Sequence, residues 1–140
     1  MLSYYKKIVK YLPSSLRKKL PKEIAVVTMK EAESRRLNRI YRKKDKSTNV
    51  LSFRYDDTYA EILICPSVIR REAKKQGNTF DYQMTWMVVH GMLHIAGIHH
   101  EHSLAAVKRV EDFEKKFSQT LALKFKNENS KFKMKVSLPR

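Results

Sequence analysis

Four of the five histidines fall within residues 88–100, in the otherwise apolar run Val88-Val89-His90-Gly91-Met92-Leu93-His94-Ile95-Ala96-Gly97-Ile98-His99-His100. His90 and His94 are four residues apart. On an α-helix their imidazoles are offset by about 40° around the axis and about 6 Å along it, so both point at one spot. Gly97 can end that helix in the left-handed conformation, and the chain then turns back to bring His100 toward the same place. The pattern His-x3-His-x5-His suits zinc. Imidazole nitrogens bind zinc at about 2.0–2.1 Å, and catalytic zinc commonly keeps three protein ligands and an open fourth position. The plainer reading makes His90 and His94 core histidines bonded to main-chain carbonyls. The pair, the glycine turn and a third histidine together favour the metal, one zinc ion per chain. For His99 and His102 the plainer reading, as loop or surface histidines, is the favoured one.

The element that must carry the pair is a helix over 80–96, apolar nearly all round as a buried helix should be, with its methionines and Trp86 as core. Before it, an amphipathic helix over 2–12 uses Tyr4, Tyr5, Ile8, Val9 and Leu12 as its apolar positions, and a short turn follows Pro13. The branched residues of 23–29 favour a strand. A helix over 30–41 should turn Ala32, Leu37, Ile40 and Tyr41 inward. Strands over 49–55 and 59–65, separated by Asp56-Asp57, form a hairpin. Pro66 starts a helix that Gly77 ends, and a last helix runs from Ser103 to about Leu123 with Val107, Val110, Phe113, Phe117 and Leu121 as its stripe. The expected fold class is therefore α+β: a small mixed β-sheet covered by helices, with a buried central helix carrying the metal-binding histidines. Residues 1–22 form a basic helical segment of the same domain, 23–125 the main domain, and 126–140 a basic tail that is either a disordered arm or a late strand.

Length and composition are consistent with one domain and one core in 140 residues, 42% of them hydrophobic. The single cysteine, Cys65, has no internal disulfide partner, which fits a reducing cytoplasm. Lysines interrupt every apolar run near the N-terminus, so neither a signal peptide nor a spanning helix is expected. The net charge of +16 is unevenly placed. Residues 47–107 hold five basic and six acidic side chains, whereas 1–22, 30–46 and 108–140 are strongly basic. Near-neutral chemistry sits inside a basic frame, and a polyanion is the expected partner. Nucleic acid fits better than a solvated surface or an anionic membrane. With three glycines and no glycine-rich loop, nothing supports a nucleotide-cradling site.

The run His90-Gly91-x-Leu93-His94-x-x-Gly97-x-x-His100 resembles the signature of the YbeY-type endoribonucleases, the rRNA maturation factors. The segment Leu37-Asn38-x-x-Tyr41-Arg42 leading into Thr48-Asn49-Val50-Leu51-Ser52-Phe53 is similar to a second stretch of that family. The resemblance covers roughly residues 23–115. It implies the same α+β arrangement, a zinc-dependent endoribonuclease acting on the 3′ end of small-subunit (16S) rRNA, a part in ribosome quality control, RNA and the ribosomal small subunit as partners, and a cytoplasmic location. Neither DNA nor membrane is expected. It also raises Arg42 to a catalytic candidate, because the family carries an active-site arginine at the matching place. The planar guanidinium of an arginine can grip a phosphate with two parallel hydrogen bonds.

Three departures stand out. His99 replaces the family's Asp before the third histidine: either that aspartate's supporting role is lost, or His99 joins the binding set as a further ligand. Asn49 replaces an aspartate. Glu61 keeps the acid of the family's Gly-Asp-Ile strand with a longer arm, either to orient a metal-binding histidine or accept a proton, or as an edge-strand carboxylate in solvent. Two other functions are compatible with the histidines. A zinc peptidase would need a base other than the glutamate that usually follows the first histidine, since Gly91 stands there, and Glu61 is the candidate. A non-catalytic RNA-binding or ribosome-associated protein with a structural zinc would need a fourth ligand, for which His99 or Cys65 is available.

Overall fold

Branched residues, turn residues and helix caps place the elements where the periodicity predicts, within one or two residues at most ends. The computed structural model describes residues 2–98 and 104–128, with the side chains of 2–5, 104, 106, 107 and 125–128 outside the description. The elements are α1 (Leu2–Tyr11), α2 (Ser14–Arg17), β1 (Glu23–Thr28), α3 (Glu31–Arg42), β2 (Val50–Arg54), β3 (Tyr59–Ile64), α4 (Pro66–Gln76), α5 (Phe80–Ile95) and α6 (Leu104–Glu128). Of the late strand or arm expected over 126–140, residues 126–128 belong to the last helix; the rest of it and the Ser103 cap lie outside the described residues. So do the side chains of Tyr4, Tyr5 and Val107. The last helix continues past Leu123, so a boundary at residue 125 does not coincide with its end.

The strands form one mixed sheet in the order β1-β3-β2, with β1 parallel to β3 and β2 antiparallel to it. Period-2 alternation divides β3 between two faces: Ala60, Ile62 and Ile64 are buried toward α5, and Tyr59, Glu61 and Leu63 point the other way. The main core joins those residues to Ile24 and Val26 of β1, to Met84, Val88 and Met92 of α5, to Ile69 of α4, to Ile8 of α1 and to Leu12 just after it. The basic N-terminal helix therefore contributes to the common core. A smaller cluster of Met29, Leu51, Cys65 and Val68, with Leu37 against it, fills the space under α3 on the other face.

The inward face of α3 differs from the expectation. Ile40 and Tyr41 are 51% and 62% exposed, Ala32 is exposed, and the buried residues are Ser34 and Asn38. Leu37 packs on the small apolar cluster as expected, while Ser34 and Asn38 face the backbone of loop 43–49, whose N–H and C=O groups need partners away from water. Ser34 Oγ donates to the Thr48 carbonyl and accepts from the Thr48 N–H, both at 2.7 Å, and Asn38 Nδ2 donates to the Lys46 carbonyl at 2.9 Å. Apolar periodicity cannot register a helix face whose partner is a loop.

Glu31, at the start of α3, extends this clamp. It accepts from Ser47 Oγ at 3.0 Å and from both terminal nitrogens of Arg71 on α4 at 2.6 and 2.8 Å. These hydrogen bonds, Arg71 foremost, hold its carboxyl down to about 2 from the ordinary 4.5. A depressed carboxyl stabilises the fold above its unfolded pKa and loses that contribution as pH falls toward its folded one. Glu31→Gln should therefore lower the melting temperature most at neutral pH, and the gap to wild type should close as pH falls below about 4.5. Thermal melts across that range check it; a gap that stays constant down to pH 2 would contradict the clamp.

Candidate metal centre

Helix α5 is held at both ends. Thr79 Oγ1 accepts the Tyr82 N–H at 3.1 Å, capping the N-terminus. At the other end Gly97 adopts φ +86°, and the Ile98 N–H reaches Leu93 O while the Gly97 N–H reaches His94 O, closing both bonds of a Schellman turn. Arg54 of β2 donates to the Ile95 and Lys19 carbonyls and pairs with Asp57, so a cation sits on the last turn of the histidine helix. The left-handed helix end at Gly97 is the one the glycine predicts. His99, His100 and His102 lie outside the described residues.

Gly91 sets how closely α5 lies on the sheet. A Cβ there would stand 2.9 Å from Ser52 Oγ and 3.0 Å from Ile62 Cγ2. Only a residue without a side chain allows this approach, and the adjacent His90, about 100° around the helix, is thereby directed toward α6.

His90 and His94 do meet. Their Nε2 atoms are 3.0 Å apart, and the ring centroids are 4.5 Å apart at 65°. On its other side His90 sets Nδ1 2.9 Å from Oε2 of Glu114, and the Trp86 indole N–H donates to Oε1 of the same carboxylate at 3.1 Å. Glu114 is 1% exposed. With Nδ1 as donor to the carboxylate, the Nε2 of a neutral imidazole keeps a lone pair on the side of His94. Two nitrogens bound to one ion at about 2.0–2.1 Å cannot stand more than about 4 Å apart, and this pair meets that condition. The donor set fits zinc, with Glu114 holding one ligand as supporting carboxylates commonly do. Among the described residues no third histidine, cysteine or carboxylate joins the pair as a metal-binding group.

Neither Glu61 nor Cys65 stands at the histidine pair. Glu61 does not orient a histidine: it lies on the sheet face away from α5 and accepts from Tyr55 Oη and Tyr59 Oη, each at 2.8 Å. Alternation along β3 turns Ile62 toward Gly91 and therefore Glu61 away. Cys65 is buried in the small cluster beside Met29, Leu51 and Val68 and does not close the site. The carboxylate that orients His90 is Glu114, which spacing and motif alone do not single out. A signal for it exists in the sequence, since an acid at 114 falls on the stripe of Val110, Phe117 and Leu121.

Asn49, leading into β2, borders the same region. It donates through Nδ2 to Glu72 Oε1 at 2.9 Å. A cleft of about 280 Å³ opens beside His90 and Glu114, bordered by Asn49, by Glu72 and Gln76 of α4, and by Trp86 of α5. Arg42 is the exposed last residue of α3, followed by Lys43 in the left-handed conformation that ends the helix. Arg35 and Arg39 are paired with Asp45, and Arg36 with Glu33.

Residues 1–122 match the family model described as Endoribonuclease YbeY. The chain belongs to the endoribonuclease YbeY family. A YbeY of Aromatoleum aromaticum is 45% identical over 82 residues, which are 56% of this chain and 53% of that protein, so the match spans about half of that relative's length. A YbeY of a Chelativorans species is 37% identical over 74% of this chain and 69% of its own length. The solution structure of a Thermotoga maritima protein is similar over 93% of this chain and 87% of that one, with a TM-score of 0.62 and 28% identity. The α+β architecture of this YbeY-family chain is thus shared with a solved structure. No described helix is long and apolar enough to cross a membrane.

Proposed function

We propose that the chain is a zinc-dependent endoribonuclease that cuts single-stranded RNA, acting in maturation of the 3′ end of small-subunit rRNA and in ribosome quality control in the cytoplasm. The observation that carries the reading is the convergence of His90 and His94 Nε2 at 3.0 Å with Glu114 buried behind His90. Family membership supplies the RNA, and the basic segments around a near-neutral centre suit a polyanion.

His90 and His94, with His100 as third ligand, would hold one zinc ion, and His99 is the further candidate ligand of the sequence. Bound there, zinc would polarise a phosphoryl oxygen and lower the pKa of its water toward about 7. Glu114 would hold His90 in the tautomer that leaves the Nε2 lone pair to a metal. Arg42 holds the scissile phosphate through its guanidinium fork and stabilises the charge that develops on it. Arg42→Ala should leave the fold and zinc content unchanged and lower the cleavage rate by about 10²-fold, the scale of losing one charge-stabilising donor. Cleavage of a single-stranded oligoribonucleotide, with metal content measured on the same samples, checks this; normal cleavage by the variant removes Arg42 from the mechanism.

Neither rival is favoured by the geometry. A peptidase base at position 91 would collide with Ser52 and Ile62, and Glu61 is on the wrong face of the sheet. A closed structural zinc lacks Cys65, which packs in a different cluster. Cleavage with and without a chelator, restored by zinc, tests the proposal as a whole.

A further inference from the structure

The cleft beside His90 has a lining that a phosphate site would not have. Glu72, Glu111 and Glu114 border it, together with Asn49, Gln76 and Trp86, in a chain of net charge +16; among the described residues the lining holds no lysine or arginine, and Lys115 stands at its edge, paired with Glu111 and over the Trp86 ring. Negative oxygens repel a phosphate, and they welcome a neutral group rich in N–H donors. The volume, about 280 Å³, is at the small end of ligand pockets and fits a single flat ring system.

Two side chains in the cleft are set in defined orientations. Glu72 and Gln76 are four residues apart on α4, so they share one face of it. Asn49 Nδ2 fixes Glu72 through Oε1 and leaves the carboxylate as a pure acceptor. Gln76 accepts through Oε1 from Gln83 Nε2 at 3.2 Å, and Gln83 in turn accepts from Asn78 Nδ2 at 2.8 Å. This amide chain commits the Gln76 oxygen, so its NH2 is the group left to offer a ligand. The pair thus presents the Glu72 carboxylate, with Oε2 uncommitted and a second lone pair on Oε1, beside the Gln76 donor.

We propose that this cleft is a nucleobase pocket that reads guanine, placing a guanosine of the RNA next to the phosphate held at the histidines. The proposal rests on the RNA-cleavage reading above for its substrate class. Guanine alone among the four bases offers two adjacent donors, N1–H and the N2 amino group, for a carboxylate, followed by the O6 acceptor for an amide. Adenine and cytosine set a lone pair beside their amino group, and uracil flanks its single N–H with carbonyls, so Glu72 repels part of each edge. Single-stranded RNA is commonly read in this way, through the edges of unstacked bases.

Trp86 is the only tryptophan and borders the cleft, so its emission reports occupancy directly. Full-length protein is titrated with guanosine, inosine and adenosine, without metal. Guanosine should bind saturably and at least about tenfold more tightly than inosine, which lacks the N2 amino group, or adenosine. Glu72→Gln and Gln76→Glu should each bring guanosine down to the level of adenosine. Equal binding of the three nucleosides by the wild type, or a preference unchanged in both variants, overturns the proposal. A parallel cleavage assay compares oligoribonucleotides carrying guanosine or inosine beside the cut. Selective guanosine binding without cleavage keeps the pocket and refutes the nuclease; cleavage with no base preference and no Trp86 response keeps the nuclease and refutes the pocket.

Discussion

His94→Ala is expected to abolish tight zinc binding and RNA cleavage together, and Glu114→Gln to reduce zinc affinity by about 10- to 100-fold while leaving some activity. The two losses have different causes. His94 supplies a donor atom 3.0 Å from that of His90, and no described carboxylate or thiol stands ready to replace it. Glu114 supplies orientation: its carboxylate holds the His90 Nδ1 proton and the Trp86 indole N–H at once. An amide in its place keeps the volume and one acceptor oxygen, but its NH2 end then faces one of two donors. Either His90 changes tautomer, which puts the proton on Nε2, or the Trp86 indole N–H loses its acceptor at the edge of the cleft. Competition with a chromophoric chelator measures the affinities, and Trp86 fluorescence separates the two outcomes. If Glu114→Gln binds zinc as tightly as wild type, the carboxylate does not support the ligand.

Gly91→Glu should unfold the protein or cost more than about 3 kcal/mol, although glutamate is a better helix former than glycine by somewhat under 1 kcal/mol. The loss comes from the position. Any Cβ at 91 meets Ser52 Oγ at 2.9 Å and Ile62 Cγ2 at 3.0 Å, and the rest of the glutamate would push a charge into the apolar layer between α5 and the sheet. Gly91→Ala isolates the first part of that cost. Overpacking of about 1–3 kcal/mol is partly offset by the better helix propensity of alanine. Combining it with Ser52→Ala removes the nearer contact and should recover part of the loss, a coupling that urea denaturation of the two single variants and the double variant measures. A Gly91→Glu protein as stable as wild type would mean that α5 does not lie this close to β2 and β3. The same contact explains why the residue after the first histidine is not the glutamate of a zinc peptidase.

The histidine pair is legible in the spacing of residues 90 and 94 because a helix converts a separation of four into a shared direction. Gly97, Gly77 and Pro66 are legible as caps for the same local reason. Strand alternation and the apolar stripes are enough to place the sheet and its covering helices. What one-dimensional spacing cannot carry is which face meets which neighbour. The pleat of β3 makes Glu61 a partner of two tyrosines and not of the histidines. Polar Ser34 and Asn38 form the buried face of α3 because a loop backbone, and not an apolar surface, packs there.

By itself, then, the sequence determined the helix that presents two imidazoles, the basic frame around it and the class of fold. Tertiary structure alone decided that Glu114, 24 residues further on, stands behind His90, that Arg54 closes the end of α5, and that Asn49 meets Glu72 beside the cleft. The division follows from range. Local hydrogen bonding and side-chain period are written in neighbouring residues, while a buried carboxylate finds its partners only when two helices pack and water leaves between them.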